Sequence, residues 1–289
     1  MKDTEFLFET TPGMKSIYAD AAASSYPNLF LEVPYIERNG QTLHFQLLST
    51  AQDGEKRPLL VYVQGSAWMK QKKFQFLPKL VPFAMAGYVV ASVEYRPSDI
   101  APFPAQILDV RAAIQYLRDN AQKYSIDPER IAIFGDSSGG HTSVMCALAE
   151  GEIFDEVGVE APKFRCVVDF YGPSALDEMP KYPSDMDHAD IDSPECRVIG
   201  GLLEDNPERV RQADPRTYIT PERALPPILI MHGDRDSTVP FNQSLILYEK
   251  LRDCCKDVEF YKVHGAGHGN GMWGERCIGL VLSFLEAYL

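Results

Sequence analysis

The strongest structural signal in this chain is one stretch, Arg130-Ile131-Ala132-Ile133-Phe134-Gly135-Asp136-Ser137-Ser138-Gly139-Gly140. Residues 131–134 form an apolar run that includes β-branched side chains, which is typical of a short buried strand. Residues 142–149 have a helical pattern, so the Gly-x-Ser-x-Gly sequence lies in a tight turn between a strand and a helix. Such a turn holds a serine in a strained conformation, with its hydroxyl exposed above a parallel sheet. The stretch therefore predicts Ser137 as a nucleophile.

The composition is that of a globular protein able to bury a large core. The 289 residues are 45% hydrophobic and 24% charged, and the formal net charge is −13. A surface this acidic repels nucleic-acid phosphates and anionic lipids. No apolar stretch approaches the roughly 18 residues of a membrane span, and residues 1–6 lack the apolar segment of a secretion signal. The sequence therefore predicts neither a nucleic-acid nor a membrane partner.

The cysteines indicate the redox environment. Two of the six are adjacent, and none belongs to a Cys-x-x-Cys pair, which is typical neither of a disulfide framework nor of a zinc site. The six residues are Cys146, Cys166, Cys196, Cys254, Cys255 and Cys277. Reduced thiols are the simpler interpretation, and they predict a cytoplasmic protein.

Strand-like and helix-like segments alternate from about residue 31 to the end of the sequence. The eight predicted strands are Leu31–Ile36, Thr42–Leu48, Pro58–Val63, Tyr88–Val93, Arg130–Phe134, Phe164–Phe170, Pro227–His232 and Val258–Val263. The clearest helical patterns are Ala105–Ala121, Asn242–Cys255 and Gly274–Tyr288. Asn39-Gly40 predicts a hairpin turn between the first two strands, and the later apolar runs suit strands buried on both faces. This alternation predicts one α/β domain over residues 1–289, with a mostly parallel sheet and helices on both faces.

Two segments depart from this alternation. Residues 171–225 are rich in Pro and Asp and only partly periodic. Because long segments inside a domain are commonly lids or insertions, we interpret about 184–214 as a small helical cap. A solvated surface excursion is the alternative. Residues 1–30 have a weak pattern and are predicted to form a peripheral arm or helix.

Two carboxylates compete to be the acid that a serine nucleophile requires. The predicted strand at 227–232 continues into Gly233-Asp234-Arg235-Asp236. Catalytic side chains are expected there, because the carboxyl ends of parallel strands meet at one crevice. Asp234 lies closer to the strand, where a carboxylate commonly binds backbone amides of a turn. Asp236 lies farther out and is better placed to reach a histidine, so we predict Asp236.

The base is predicted from the end of the last strand. His264 ends that strand and suits a packed or solvated role, whereas His268 lies in the glycine-rich loop Gly265-Ala266-Gly267-His268-Gly269. Small neighbours let an imidazole reach over the serine, so we predict His268. The other histidines are interpreted as structural: His44, His188, His232, and His141, which is expected to pack near the site.

An oxyanion formed during acyl transfer needs backbone N–H donors. Ser138, the residue after the nucleophile, is expected to supply one donor. The loop after the third strand, Gln64-Gly65-Ser66-Ala67-Trp68, is expected to supply the others.

These motifs resemble the α/β-hydrolase esterases of the hormone-sensitive-lipase type, and more closely their small bacterial acetyl-xylan and feruloyl esterase-like relatives. The resemblance rests on Gly-Asp-Ser-Ser-Gly-Gly at 135–140, His-Gly-Asp-x-Asp-x-x-Val-Pro at 232–240 and Gly-Ala-Gly-His-Gly at 265–269, and it covers about residues 30–289. It implies an α/β-hydrolase fold with an eight-stranded sheet. It also implies hydrolysis of short-chain carboxylic esters without a cofactor or metal, by the triad Ser137, Asp236 and His268.

One motif departs from the pattern that the resemblance implies. The His-Gly-Gly-Gly-Trp oxyanion sequence is replaced here by residues 64–68, in which Ser66 and Ala67 carry side chains. A positive φ is less favourable for such residues than for glycine. We therefore expect Ser66 to be the main donor of this loop and Ala67 a second candidate.

The predicted function is that of a serine carboxylesterase acting on a small-molecule ester. The resemblance suggests acetyl or feruloyl esters of hemicellulose oligosaccharides, with Trp68 as a substrate-binding residue. Further aromatic candidates for the pocket are Phe74, Phe76, Tyr171 and Tyr182. An amidase of the arylformamidase type and a non-catalytic binding protein on the same fold are the alternatives. Whether the chain forms a homo-oligomer is left open by the sequence.

Overall fold

Eight strands form one sheet in the computed structural model, which describes residues 12–15, 17, 26–51 and 54–289. The strands are β1 Asn28–Arg38, β2 Gln41–Ser49, β3 Arg57–Val63, β4 Val89–Val93, β5 Ile126–Asp136, β6 Cys166–Phe170, β7 Ile228–Gly233 and β8 Val258–Val263. Their order across the sheet is β1-β2-β4-β3-β5-β6-β7-β8. A peripheral arm was predicted over residues 1–30; residues 28–30 belong to β1, and most of the others lie outside the described residues. Residues 1–6, where the sequence predicts no secretion signal, also lie outside the described residues.

Only β2 runs antiparallel to its neighbours, β1 and β4, and every other pair of adjacent strands is parallel. The predicted mostly parallel, eight-stranded sheet is therefore confirmed. The turn between β1 and β2 is formed by Asn39 and Gly40, which both have positive φ, 52° and 73°. That conformation is favourable for Asn-Gly, which explains why the dipeptide predicted the hairpin.

The two faces of the sheet are covered by different helices. The helices are α1 Leu77–Met85, α2 Ala105–Asp119, α3 Ser138–Leu148, α4 Pro194–Ile199, α5 Pro207–Ala213, α6 Asn242–Asp253 and α7 Glu275–Tyr288. Apolar side chains of α2, α3 and α6 belong to the core on one face, and those of α1 and α7 to the core on the other. β3 shows why: Leu59, Val61 and Val63 enter the first core, while Leu60 and Tyr62 enter the second, as the two-residue period of a strand requires.

Helix α1 is the main element that the sequence pattern does not identify. It contains Pro82, and a second proline, Pro78, lies in its first turn. Proline in a helix interior removes a hydrogen bond, so the sequence signal is that of a loop. Leu80, Phe83 and Ala84 are buried against the sheet, and this burial stabilises the helix in spite of Pro82.

The segment between β6 and β7 contains short helices joined by irregular backbone. Two 3-10 helices, Leu176–Lys181 and Pro215–Tyr218, lie on either side of α4 and α5. The region predicted to be a helical cap, about 184–214, therefore holds α4 and α5. Within the part of the chain that the structure describes, no helix combines the length and the apolar character that crossing a bilayer requires.

Candidate active site

Ser137 lies in a strained turn between β5 and α3. Its φ is 53° and its ψ is −129°, a conformation that non-glycine residues rarely adopt. The glycines on either side make the turn sterically possible. A Cβ on Gly139 would lie 2.0 Å from the Val63 carbonyl oxygen, and one on Gly135 would lie 2.1 Å from the Gly139 oxygen. The turn is fixed at its start by a 2.8 Å hydrogen bond from Ser137 N–H to the Phe170 oxygen.

Three side chains from separate parts of the sequence meet at this turn. Ser137 Oγ lies 3.0 Å from His268 Nε2, and His268 Nδ1 lies 2.8 Å from Asp236 Oδ2. Asp236 follows β7 and His268 follows β8, so both come from the carboxyl edge of the parallel strands. The structure thus places the predicted serine, base and acid in one chain of contacts.

The Asp236 carboxylate is fully buried, and four groups contact it. The N–H groups of Thr238 and Val239 donate to Oδ1 at 2.9 Å each. His268 Nδ1 contacts Oδ2, and His232 Nε2 lies 3.3 Å from the same oxygen. Burial alone would raise the pKa of Asp236, but the hydrogen bonds and positive charge of the two histidines hold this pKa well below its usual range. The carboxylate therefore stays ionised at neutral pH.

The competing carboxylate, Asp234, has different partners. Its Oδ2 lies 2.7 Å from His264 Nδ1, and its Oδ1 accepts a 2.7 Å hydrogen bond from Gly265 N–H. The His264 side chain is 76% exposed. Asp234 thus binds a backbone amide of the neighbouring turn, the role proposed for it from the sequence.

The loop at residues 64–68 does not have the expected backbone conformation. Ala67 and Trp68 have φ values of 56° and 54°. The sequence predicted that Ala67 would avoid a positive φ, and that prediction is wrong. The Ser66 N–H donates to Ser138 Oγ at 2.9 Å. By contrast, the N–H groups of Ala67 and Ser138 have no acceptor among the described residues. The free donors of this state are therefore those of Ala67 and Ser138, whereas the sequence favoured Ser66 over Ala67.

A buried carboxylate connects this loop to the strained turn. Asp136 Oδ1 accepts hydrogen bonds from the Tyr62 hydroxyl at 2.5 Å and from Gly65 N–H at 2.9 Å. Its Oδ2 accepts from the Tyr171 hydroxyl at 3.3 Å. Because Asp136 directly precedes Ser137, these bonds fix the start of the loop relative to the nucleophile. Asp136 has no role among the sequence predictions, although it lies inside the Gly-x-Ser-x-Gly motif.

A cavity of about 410 Å³ opens above Ser137. Trp68, Phe76 and Tyr171 line it, whereas the other two aromatic candidates, Phe74 and Tyr182, do not. Only 2% of Trp68 is exposed, and its ring packs edge-to-face on that of His141, with 5.2 Å between the ring centroids. A larger cavity of about 580 Å³, lined in part by α5, contains none of the three contacting side chains Ser137, Asp236 and His268.

His141 lies beneath the site and is buried. Its Nε2 lies 2.8 Å from the Ala213 carbonyl oxygen. Burial lowers the pKa of His141 to about 4, although the Ala213 oxygen opposes this shift. The ring is therefore neutral at physiological pH, and it packs near the site as the sequence suggested.

His188 and Glu195 also line the cavity above Ser137. The sequence interpretation of His188 as a structural residue did not include this place in the cavity wall. Neither residue belongs to a motif, and the backbone from 182 to 193 is irregular, so no periodic pattern indicates which side chains face the cavity. Only the folded arrangement identifies them.

One cluster in the described residues has the chemistry of metal ligands: Glu32, His44 and Glu94. Lys73 already provides a positive charge there, since its Nζ lies 2.7 Å from Glu32 Oε2 and 3.0 Å from Glu94 Oε1. An ion-pair network therefore accounts for this cluster.

The sheet topology and the strained serine turn together define an α/β-hydrolase fold. A family model described as BD-FAE matches residues 45–251. The chain belongs to the BD-FAE family. The resemblance to α/β-hydrolase esterases inferred from the sequence is confirmed by this match.

Individual proteins extend the comparison. Esterase LipC of Mycobacterium tuberculosis is 30% identical over an alignment of 223 residues, and the match covers 73% of this chain and 53% of LipC. The chain spans about half the length of the curated relatives it matches. Among solved structures, a truncated form of a carbohydrate esterase from gut microbiota has a TM-score of 0.80 and 29% identity, with 92% of this chain and 98% of that chain covered. A bifunctional GH43-CE protein of Bacteroides eggerthii has a TM-score of 0.77 and 29% identity, covering 90% and 38%.

Proposed function

We propose that this chain is a serine carboxylic ester hydrolase that works through a covalent acyl-enzyme. The observation that carries the proposal is the 3.0 Å contact between Ser137 Oγ and His268 Nε2, continued at 2.8 Å to the buried Asp236. A serine hydroxyl is a weak nucleophile until a base within hydrogen-bond reach removes its proton. The similarity to proteins named as esterases supports the same reaction class.

In the acylation step, Ser137 Oγ attacks the ester carbonyl carbon while His268 Nε2 accepts the serine proton. Asp236 holds the tautomer with the proton on Nδ1 and stabilises the imidazolium that forms. His268 then donates its proton to the leaving alcohol oxygen as the carbon–oxygen bond breaks. Water deacylates Ser137 by the same route, with His268 as the base, and the products are one carboxylic acid and one alcohol.

The oxyanion of each tetrahedral intermediate is proposed to bind the N–H groups of Ala67 and Ser138. Both donors lack an acceptor among the described residues, and both residues line the cavity with Ser137. The Ser66 N–H is already bound to Ser138 Oγ, so Ser66 joins the hole only if that bond opens. Each donor aimed at the oxyanion contributes roughly 3 kcal/mol to transition-state stabilisation.

The proposed substrates are acetyl or feruloyl esters of hemicellulose oligosaccharides. The printed names of two structural neighbours, a carbohydrate esterase and a GH43-CE protein, support this class. A cavity of about 410 Å³ is in the range of small-molecule sites.

We further propose that residues 1–289 form one domain whose segment 184–214 covers the site. The cytoplasmic location stays a prediction.

The experiment that tests this proposal compares wild type with Ser137→Ala. With p-nitrophenyl acetate, wild type is expected to show a burst of nitrophenol and a fluorophosphonate probe to label Ser137. Both signals should disappear in Ser137→Ala, and they should persist in the matched control Ser283→Ala, which alters an exposed serine of α7. Undiminished turnover in Ser137→Ala would contradict the mechanism. Faster hydrolysis of N-formylkynurenine than of any ester would instead favour the amidase alternative.

A further inference from the structure

Two buried polar side chains from the segment between β6 and β7 lie on the wall of the cavity above Ser137. They are His188 and Glu195, whose side chains are only 2% and 4% exposed. His188 Nδ1 lies 3.1 Å from Glu195 Oε2. The pair is separate from Asp236 and His268, and the proposed mechanism gives it no task.

The imidazole of His188 is held firmly on one side. Its Nε2 lies 3.0 Å from Ser184 Oγ and 3.1 Å from the Thr238 carbonyl oxygen. Burial alone would lower the pKa of His188, but the Glu195 carboxylate and the Thr238 oxygen raise it above its ordinary value. Nε2 faces a carbonyl oxygen, which only accepts, and Nδ1 faces a carboxylate, so this geometry favours a proton on both nitrogens.

Glu195 is much less well satisfied. Its Oε2 is buried and faces His188 Nδ1 at 3.1 Å, although the two atoms do not form a well-aligned hydrogen bond. Its Oε1 is not fully buried and has no hydrogen-bond donor among the described residues. A carboxylate oxygen without a donor is costly in a protein interior, and native proteins generally supply one. Since Glu195 lies on a cavity wall, a bound molecule is able to supply that donor.

The chemistry of the pair restricts that molecule. An ionised carboxylate only accepts hydrogen bonds, and a protonated imidazole only donates them. A hydroxyl group of a ligand is able to donate to Oε1 of Glu195, while His188 holds the carboxylate at its other oxygen. The neighbouring wall is apolar, with Met186, Pro194 and Val239, and suits the carbon face of a ring.

We propose that Glu195, held in place by His188, forms a subsite for a hydroxyl group on the alcohol half of the ester. An acetyl group carries no hydroxyl, so in the acetyl esters the donor hydroxyl belongs to the leaving alcohol, and this step rests on the proposed function. The preferred substrates are then esters of polyhydroxylated ring alcohols, such as pyranosides.

The backbone of one residue holds this subsite in register with the reacting groups. The Thr238 oxygen contacts His188 Nε2, while the Thr238 N–H donates to Asp236 Oδ1 at 2.9 Å. Ser184 Oγ reinforces the link with bonds to the Ser237 and Thr238 oxygens at 3.0 and 3.1 Å. A sugar ring bound to Glu195 is therefore held at a fixed position relative to the triad.

The experiment measures kcat/KM for two acetates with similar ring sizes, methyl 2-O-acetyl-β-D-xylopyranoside and cyclohexyl acetate. In Glu195→Gln, we expect kcat/KM for the xyloside acetate to fall about 10- to 100-fold, the loss typical of a hydrogen bond to a charged group. The value for cyclohexyl acetate, which has no free hydroxyl, should stay within about threefold of wild type. The matched control is Glu204→Gln, an exposed residue outside this cavity that should change neither value.

An equal fall on both acetates would overturn the subsite and assign the pair a structural role. Unchanged cleavage of the xyloside acetate would overturn it as well. Thermal melting checks that Glu195→Gln folds. If it does not fold, Glu195→Asp is used in its place, because the shorter side chain withdraws the carboxylate from the cavity. The same selective loss on the xyloside acetate is expected for Glu195→Asp. If wild type cleaves neither ester, the proposed function fails separately. Calorimetric binding of methyl β-D-xylopyranoside to Ser137→Ala, lost in the double variant with Glu195→Gln, then decides the subsite alone.

Discussion

Two acid–imidazole pairs connect the same two loops of this molecule, the loop after β7 and the loop after β8. The contact distances are nearly equal: 2.8 Å for Asp236–His268 and 2.7 Å for Asp234–His264. The exposures differ, because the Asp236 and His268 side chains are 0% and 27% exposed and those of Asp234 and His264 are 28% and 76% exposed. Contact distance alone therefore does not distinguish a proposed catalytic pair from a surface pair.

The difference lies in what each pair touches beyond itself. His268 presents Nε2 to Ser137, whereas the additional partner of the exposed pair is the backbone N–H of Gly265. Exposed ion pairs are screened by water and contribute little, while buried carboxylates with several donors are held in one geometry. When such pairs are compared, the partner of the second imidazole nitrogen is therefore more informative than the distance between acid and imidazole.

The sharpest way to break this comparison is to remove each imidazole in turn. His268→Gln should lower kcat for p-nitrophenyl acetate by roughly 10⁵-fold, since the serine loses its base. His264→Gln, the matched change in the exposed pair, should alter kcat by less than about twofold because its interactions are weak. Steady-state kinetics on both variants check this. Similar losses of kcat in the two variants would show that side-chain exposure does not identify the catalytic pair.

Removing the acids is expected to have a smaller effect. Asp236→Asn should lower kcat by on the order of 10³–10⁴-fold, because the amide favours the wrong tautomer of His268 while the base itself remains. Asp234→Asn should leave kcat nearly unchanged and alter only the turn that Gly265 N–H stabilises. If Asp234→Asn were the more damaging of the two, the choice between the carboxylates would have to be reversed.

Much of this arrangement follows from local sequence signals. The strand-turn-helix pattern around Ser137 predicted the strained turn, and the positions of Asp236 and His268 just beyond β7 and β8 predicted that they would approach it. Parallel strands make such predictions effective, because their carboxyl ends share one edge of the sheet. The catalytic roles of the three residues stay predictions that the variants above test.

Other features depend on tertiary contacts that no local pattern expresses. The positive φ of Ala67 accompanies hydrogen bonds from Gly65 to Asp136 and from Ser66 to Ser138, residues about 70 positions away. Helix α1 forms because its apolar side chains are buried, in spite of Pro82. Positions such as these need the folded chain, since intrinsic preference is overridden by packing.

The smallest expected difference between the two carboxylates concerns stability and its dependence on pH. Although burial opposes it, the histidine contacts lower the pKa of Asp236 in the folded state. An acid with a lowered folded pKa stabilises the fold fully above its unfolded pKa, about 3.9, and this contribution disappears as the pH falls through the folded pKa. The free energy of unfolding in urea should therefore be larger for wild type than for Asp236→Asn by on the order of 2 kcal/mol at pH 7, with the gap closing below about pH 4.

The difference in unfolding free energy between wild type and Asp234→Asn should be smaller at every pH, because water screens that pair. A gap for Asp236→Asn that stayed constant from about pH 7 to pH 2 would mean that lost packing, and not lost charge, separates the buried pair from the exposed one.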